Sequence, residues 1–215
     1  FMPSAGYYLL RDQQQVLSYA PQSGVTGLLF DRTFGLLSHT PLYFLAFVGV
    51  PSLVRALRAG RAPLLAPLFA GSLILIVYIG SIAYWWADGA PPSRYLVAAM
   101  PLWVIGLGFG LERLRGLRWS WLLVLALLIP SAVVSFIFMI TPAERYDLAL
   151  DVIRTGYPGR LWVEFATWFH WNAGLVFPSI PRADSSALYL SLVWWAIALA
   201  FVVLGIQRRR ATPAD

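Results

Sequence analysis

Long apolar stretches separated by short links rich in Arg dominate the chain. A helix that crosses a bilayer needs roughly 17 to 25 predominantly apolar residues. Five stretches meet that length, at residues 37–54, 63–86, 95–111, 119–140 and 187–206. The pattern predicts an all-α, polytopic helical membrane protein with about five transmembrane helices.

The composition leads to the same class of protein. Of the 215 residues, 59% are hydrophobic and 12% are charged, and the mean hydropathy is +0.68. Soluble domains carry about twice that share of charged residues. The chain has no Cys and two His, which excludes thiolate metal sites and Cys nucleophiles and gives no metal-ligand pattern.

The distribution of Arg predicts the orientation in the membrane. Nine of the 16 Arg lie in three short segments, at 55–62, 112–118 and 208–210. The remaining seven are spread over segments that also hold eight carboxylates. Since Arg concentrates on the cytoplasmic side, the C-terminus is predicted to be cytoplasmic and the N-terminal end of the chain to be outside. The net charge of +6 is thus a topology signal, and no nucleic-acid partner is predicted.

Four regions follow from this topology. They are an extracytoplasmic juxtamembrane segment (1–36), a four-helix transmembrane region (37–140), an extracytoplasmic loop with short helices (141–186), and the last transmembrane helix with a cytoplasmic Arg-rich tail (187–215). The first region is less apolar and is interpreted as a loop that dips back toward the membrane.

Two short helices are predicted inside the 141–186 loop. Thr141, Pro142 and Glu144 are typical of a helix start, and Gly156 is typical of a helix end, which favours an amphipathic helix over 141–158. The stretch LWVEFATWFHWN then carries aromatic residues at near-helical spacing. We interpret it as an interfacial helix on the outer leaflet, with an aromatic belt rather than a sugar-stacking platform.

A charged, turn-rich stretch between two spans is the first candidate site. YWWADGAPPSRYLVAAMP holds Asp88 and Arg94 close together at the predicted outer surface. One interpretation is an ion pair that ties two helix ends together. The other is that Arg94 binds an anionic headgroup or a lipid-linked phosphate, because a guanidinium binds phosphate oxygens bidentately.

A second charged stretch, FDRTFGLLSHTP, leads into the first predicted span. It contains Asp31, Arg32 and His39. Ionisable side chains at membrane depth are candidates for function. Asp31, His39 and Asp88 are therefore candidates for the lining of a polar cavity open to the outside. The alternative for His39 is an interfacial side chain bonded to a backbone carbonyl.

Parts of both charged stretches follow a pattern that resembles a known family. Gly27 to Leu29, Gly35 to Leu37 and Pro41 enter a span, and Trp85, Trp86, Pro92, Arg94, Tyr95 and Pro101 follow one hairpin later. With these motifs, residues 24–115 resemble the later spans of bacterial glycosyltransferases of the GT-C superfamily. Protein mannosyltransferases and aminoarabinose transferases are relatives of that group.

The resemblance implies an enzyme of the bacterial plasma (inner) membrane. Such an enzyme transfers a sugar from a polyprenyl-phosphate-linked donor on the outer face of the membrane. By resemblance, Arg94 and Arg32 would bind the donor phosphate. The family's catalytic base is usually an Asp in a first outer loop, which this chain lacks. The catalytic residue is therefore unknown, and nothing in the spacing supports Asp31 as a substitute.

Two functions follow as expectations. The chain starts at Phe1, and we expect it to be the C-terminal part of a longer glycosyltransferase, for which a divalent metal stays open although no cofactor is identified. The alternative is a non-catalytic structural or accessory subunit of a membrane protein complex. Membrane lipids are expected partners in both cases, and other membrane subunits in the second.

Overall fold

The structure is a computed structural model, which describes residues 21–60, 63–82, 85, 94–140, 160–180 and 185–210. In these ranges all regular secondary structure is helical. The α-helices are α1 (Pro21–Phe30), α2 (Leu36–His39), α3 (Phe44–Arg58), α4 (Leu65–Gly80), α5 (Met100–Leu114), α6 (Ser120–Ile140), α7 (Arg160–Phe169) and α8 (Ser185–Arg210). Short 3-10 helices cover Pro41–Tyr43, Arg94–Ala99 and Ala173–Val176. The predicted class, an all-α polytopic membrane protein, is confirmed.

Four helical segments are long and apolar enough to cross a membrane. They are Pro41–Arg58, Arg94–Leu114, Ser120–Ile140 and Ser186–Gln207. The second predicted span, 63–86, is helical over α4, whose 16 residues fall short of the roughly 20 that a span needs. The first span begins at Pro41 rather than at residue 37, because α2 ends at His39 and Thr40 leaves the helical conformation. Four of the five expected spans are thus of spanning length in the described part of the chain.

Helix α3 is the central helix of the bundle and packs against both α5 and α8. The helices approach closely because glycines leave room for the neighbouring backbone. A Cβ atom on Gly110 of α5 would overlap the carbonyl oxygen of Leu45, and one on Gly205 of α8 would overlap that of Val48. Small residues at such contacts let membrane helices approach closely and pack through van der Waals contact.

A single arginine ties these three helices together at one end of the bundle. The Nε of Arg113 donates to the Oγ of Ser52 at 2.6 Å, and its Nη1 donates to the carbonyl oxygen of Gly205 at 2.9 Å. Arg113 lies in α5, Ser52 in α3 and Gly205 in α8. We call these two bonds the Arg113 clasp. The same Arg also contributes to the charge bias that predicts the topology.

Helix α1 packs against α4 beside the central bundle. The two helices cross where a Cβ on Gly24 would overlap the backbone of Gly80. The Trp85 side chain, which is 1% exposed, lies against Gly27. The described part of the predicted juxtamembrane segment is therefore a helix and a turn packed into the fold.

A helix is present at the aromatic stretch, as α7. The aromatic side chains of the stretch LWVEFATWFHWN divide into two groups. Trp162 is buried, whereas Trp168, Phe169 and Trp171 are 41%, 50% and 58% exposed. The interpretation of the exposed group as an aromatic belt stays a prediction, whereas Trp162 belongs to the core. The amphipathic helix predicted over 141–158 lies outside the described residues.

Candidate functional site

The two charged stretches meet at one end of the bundle. The loop 31–35 joins α1 to α2, and the 3-10 helix Arg94–Ala99 leads into α5. Phe34 of the loop and Leu96 of the 3-10 helix lie in one buried cluster with Trp85. The Phe34 and Trp85 rings meet edge to face with centroids 6.5 Å apart. The turn that carries Arg94 is therefore packed into the same cluster as the loop that carries Arg32.

The Asp31 carboxylate accepts several hydrogen bonds at this end of the bundle. Its side chain is fully buried, at 0% exposed. Oδ1 accepts hydrogen bonds from the backbone N–H groups of Thr33 and Phe34, both at 2.9 Å. Oδ2 accepts from the N–H of Ile180 at 2.8 Å, across 149 residues of sequence. Asp readily bonds the N–H groups that follow it, so the DRTF sequence sets the local turn, and Ile180 is added by the tertiary fold.

The backbone groups of Arg32 add two further hydrogen bonds beside the bond from Ile180 to Asp31. The N–H of Arg32 donates to the carbonyl oxygen of Pro178 at 2.9 Å. The carbonyl oxygen of Arg32 accepts a hydrogen bond from the indole Nε1 of Trp162 in α7. Residues 31–32 and 178–180 therefore lie side by side, with α7 docked on them. We call the bonds of Asp31 and Arg32 to Ile180, Pro178 and Trp162 the Asp31 clasp.

His39 lies at the end of α2 and is also buried. Its Nδ1 is 2.7 Å from the carbonyl oxygen of Gly35 and 3.0 Å from the Oγ of Ser38. Because a carbonyl oxygen only accepts, Nδ1 carries the proton and donates to Gly35. The ring stacks on Phe138, with centroids 5.8 Å apart, and leans on Trp162. This is the carbonyl-bonded arrangement that the sequence left open for His39.

A serine links the two titratable groups. The Oγ of Ser38 donates to the carbonyl oxygen of Asp31 at 2.6 Å and lies beside the Nδ1 of His39. Asp31 and His39 therefore belong to one buried polar cluster, and both lie outside the four spanning segments.

Burial dominates the electrostatics of this cluster. It raises the pKa of Asp31 from 3.8 to about 6, against the lowering effect of the three backbone donors and of the Arg32 charge. It lowers the pKa of His39 from 6.5 to about 4, against the effect of the bond to Gly35. In both cases apolar surroundings disfavour the charged form. His39 is neutral at pH 7, and Asp31 is mainly ionised.

Further polar side chains are buried beside the clasp. Arg32, Thr33 and Ser179 are 7%, 2% and 3% exposed. The hydroxyl oxygens of Thr33 and Ser179 have no hydrogen-bond partner among the residues that the structure describes. A buried hydroxyl in that state costs about 1 to 3 kcal/mol. These two hydroxyl groups can therefore form hydrogen bonds for which the described residues supply no partner.

The two arginines predicted to bind phosphate differ in their exposure. Arg94 is exposed at the start of its 3-10 helix, whereas Arg32 is buried in the loop. Asp88 lies outside the described residues, so its pairing with Arg94 stays a prediction. The roles of Arg32 and Arg94 at a phosphate, and of Asp31, His39 and Asp88 in a cavity lining, also stay predictions.

Sequence patterns did not reveal the partner side of the clasp. The sequence does not single out Ser179 or Ile180, and it predicts Trp162 only as part of the interfacial aromatic stretch. The available signal was FPSIP at 177–181, where two Pro flank a lone Ser among apolar residues. Residues before Pro favour an extended backbone, and Phe177, which precedes Pro178, has that conformation.

Within the ranges that the structure describes, no group of three or more His, Asp or Glu is placed to bind a metal ion. Comparison of the chain with protein-family models, with curated proteins and with solved structures finds no match. The functional proposal therefore depends on the cluster itself and on the resemblance seen in the sequence.

Proposed function

We propose that the chain is the C-terminal part of an integral membrane glycosyltransferase of the bacterial plasma membrane. The enzyme transfers a sugar from a polyprenyl-phosphate-linked donor on the outer face. This part of it binds the donor phosphate through Arg94 and Arg32. The observation that supports the proposal is the shared cluster, in which the loop carrying Arg32 and the turn carrying Arg94 pack together at one end of a membrane bundle.

The position of Arg94 suits a phosphate at the membrane surface. Arg94 is exposed and opens the segment Arg94–Leu114, which is long and apolar enough to span a membrane, and this supports a position near the lipid headgroups. A sugar that leaves a lipid phosphate leaves negative charge on the phosphate oxygens, and a fixed positive group stabilises that charge. A guanidinium does so with two parallel hydrogen bonds. Arg32 is buried in the loop that packs against the turn of Arg94, and it adds a second positive charge to that loop.

The catalytic base is a separate requirement. Inverting transfer needs a carboxylate that takes the proton of the acceptor. Asp31 does not meet this requirement, because both of its oxygens accept backbone N–H groups and its side chain has no exposed surface. We assign the base to a residue outside the described part of the chain.

A non-catalytic structural or accessory subunit is the second candidate. The observation that favours it is the complete bonding of Asp31, which makes the acidic group of the cluster a structural clasp. In this case the partners are other membrane subunits, and neither arginine binds a donor.

The two candidates differ in whether the protein recognises a lipid-linked phosphate. The test measures binding of a polyprenyl phosphate to the intact protein in nanodiscs, with the matching polyprenol as the phosphate-free reference. We expect the phosphate to bind at least tenfold more tightly than the alcohol, and Arg94→Ala to remove most of that difference. Arg58→Ala is the control, since Arg58 is also exposed but lies at the other end of the spanning helices.

Equal affinity for the phosphate and the alcohol would contradict the proposal and favour the accessory subunit. So would an equal loss of binding in Arg94→Ala and Arg58→Ala. Sugar transfer in source membranes gives the second readout. Arg94→Ala should abolish transfer while the protein remains inserted, and unchanged turnover in that variant would remove Arg94 from the mechanism.

A further inference from the structure

An open depression of about 630 Å³ lies between α5 and α6, at the end of the bundle that holds Arg113. Its polar lining residues are Glu112, Arg115 and Ser120, which belong to the last turn of α5, the link after it and the start of α6. Its apolar lining includes Val124 and Leu125, one to two turns further along α6. The groove is thus polar at the helix ends and apolar toward the middle of the spans.

The apolar part of the groove is left uncovered by the described part of the chain. Both flanking helices belong to segments that can cross a membrane. The lining side chains Leu111, Trp121 and Leu125 are 41%, 55% and 39% exposed, so no other described part of the chain covers them. An apolar wall at this position is open to lipid chains.

The polar part of the groove carries a positive bias. Arg115 and Arg118 are exposed and outnumber Glu112, the one carboxylate of the link 112–118, while Arg113 is engaged in its clasp. The Arg118 guanidinium lies over the Trp119 ring, 5.8 Å from its centroid. Trp beside Arg is typical of the level of lipid headgroups. The link is therefore placed where lipid phosphates lie.

We propose that this groove binds an anionic phospholipid of the surrounding leaflet. The lipid phosphate is bound by Arg115, and an acyl chain lies along Val124 and Leu125. Charge complementarity selects an anionic over a zwitterionic headgroup, and the apolar wall supplies affinity in proportion to the buried chain. The site is at the opposite end of the Arg94–Leu114 span from the proposed donor site and does not depend on it.

The test counts the lipids that stay bound to the intact protein in native mass spectrometry. The protein is equilibrated with equal amounts of phosphatidylglycerol and phosphatidylcholine of identical acyl chains. We expect wild type to retain phosphatidylglycerol preferentially and Arg115→Gln to reduce that retention at least fivefold. Val124→Trp, which fills the groove and leaves the charge unchanged, should reduce it as well.

Arg58→Gln is the matched control, because it removes one exposed Arg from the same end of the bundle but not from the groove. If Arg58→Gln loses as much phosphatidylglycerol as Arg115→Gln, binding follows net charge and the groove is not a site. Equal retention of the two lipids by wild type would also overturn the proposal, as would wild-type retention in Val124→Trp. Val124→Phe replaces Val124→Trp if the larger side chain prevents folding.

Discussion

The two clasps hold separate parts of the fold with opposite chemistry. In the loop between α1 and α2, the Asp31 carboxylate accepts from three backbone N–H groups. Near the end of α5, Arg113 donates to the Ser52 hydroxyl of α3 and to a backbone carbonyl of α8. The Asp31 clasp needs one acidic side chain and a defined path of the main chain. The Arg113 clasp needs two side chains that meet across helices, together with a glycine that lets α8 approach.

The difference sets which clasp matters more for stability. Loss of Asp31 leaves the buried N–H groups of Thr33 and Phe34 and the half-buried N–H of Ile180 without their acceptor, and a buried orphan donor is rarely tolerated. Loss of Arg113 removes a donor from the Ser52 hydroxyl and from the Gly205 carbonyl oxygen. An acceptor left without a donor costs less free energy than a buried N–H left without an acceptor. The Asp31 end should therefore be the more sensitive of the two.

The largest effect is expected for Asp31→Ala. It should lower the free energy of unfolding by about 3 to 6 kcal/mol, since each unsatisfied buried donor costs about 1 to 3 kcal/mol. Asp31→Asn should cost less, because its carbonyl oxygen can still accept from Thr33 and Phe34 while its amide cannot accept from Ile180. Unfolding of the protein in mild detergent by added SDS measures both. A change below about 1 kcal/mol for Asp31→Ala would show that the clasp is not needed for folding.

The contact between α3 and α5 is tested by a pair of glycines in α5. Gly110→Ala should destabilise by about 1 to 3 kcal/mol, because its Cβ would overlap the Leu45 carbonyl oxygen. Gly108→Ala is the control, since a Cβ there meets no atom within 4 Å. It should be neutral or stabilising by up to about 1 kcal/mol, as is usual for Gly replaced by Ala in a helix. Equal effects in the same unfolding measurement would mean that α3 and α5 are not in close contact.

Arg113→Gln should cost about 1 to 3 kcal/mol through loss of its bonds to Ser52 and Gly205. Arg58→Gln removes the same charge from an exposed position and should stay within about 0.5 kcal/mol. A double-mutant cycle with Ser52→Ala then isolates the Arg113–Ser52 bond. A coupling energy near zero would show that Arg113 acts through charge alone.

The smallest effect is expected for pH in the wild-type protein. The pKa of Asp31 rises from 3.8 to about 6 on folding, so its contribution to stability is complete below pH 3.8 and is lost as the pH rises through 6. The pKa of His39 falls from 6.5 to about 4, so its contribution is complete above pH 6.5 and is lost as the pH falls through 4. The two slopes oppose each other across nearly the same interval.

Between pH 4 and 6.5 the wild-type stability should therefore change by less than about 1 kcal/mol from this pair, although each group alone contributes about 3 kcal/mol. His39→Asn should leave a stability that falls as the pH rises, and Asp31→Asn one that rises with pH. Unfolding curves at four or five pH values distinguish these slopes. Parallel pH profiles for the two variants would contradict the opposed shifts.

The spanning helices were predictable because each is a continuous apolar run and the bilayer sets the required length. Helix α1 was not, because residues 21–30 mix Gly, Ser, Gln and Thr with apolar residues. Its position depends on Gly24 meeting Gly80 and on Gly27 meeting Trp85, and neither contact is visible from one segment alone. The apolar run of α4 continues past Gly80, but the helix ends there against α1.

The site was predictable in its charged residues and not in their partners. Asp31 and His39 stand out as ionisable residues in an apolar sequence. Ile180 contributes through its backbone N–H, and Trp162 through its indole N–H to a carbonyl oxygen, so neither carries a chemical signal in the sequence. The sequence predicts only a topology role for Arg113. An Arg at the end of a span contributes to the orientation in the membrane whether or not it also bonds a neighbouring helix.

The Asp31 clasp also dictates an order of assembly during synthesis. Chains emerge from the ribosome N-terminal end first, so α1, α2 and α3 are made before residues 178–180. The acceptor at Asp31 and its donor at Ile180 are 149 residues apart, which makes this closure one of the late steps. A nascent chain that stops after α6 contains the Asp31 carboxylate but still lacks the Ile180 donor. The hydrogen bonds of the loop at Asp31 are therefore complete only after the C-terminal part of the chain has been made.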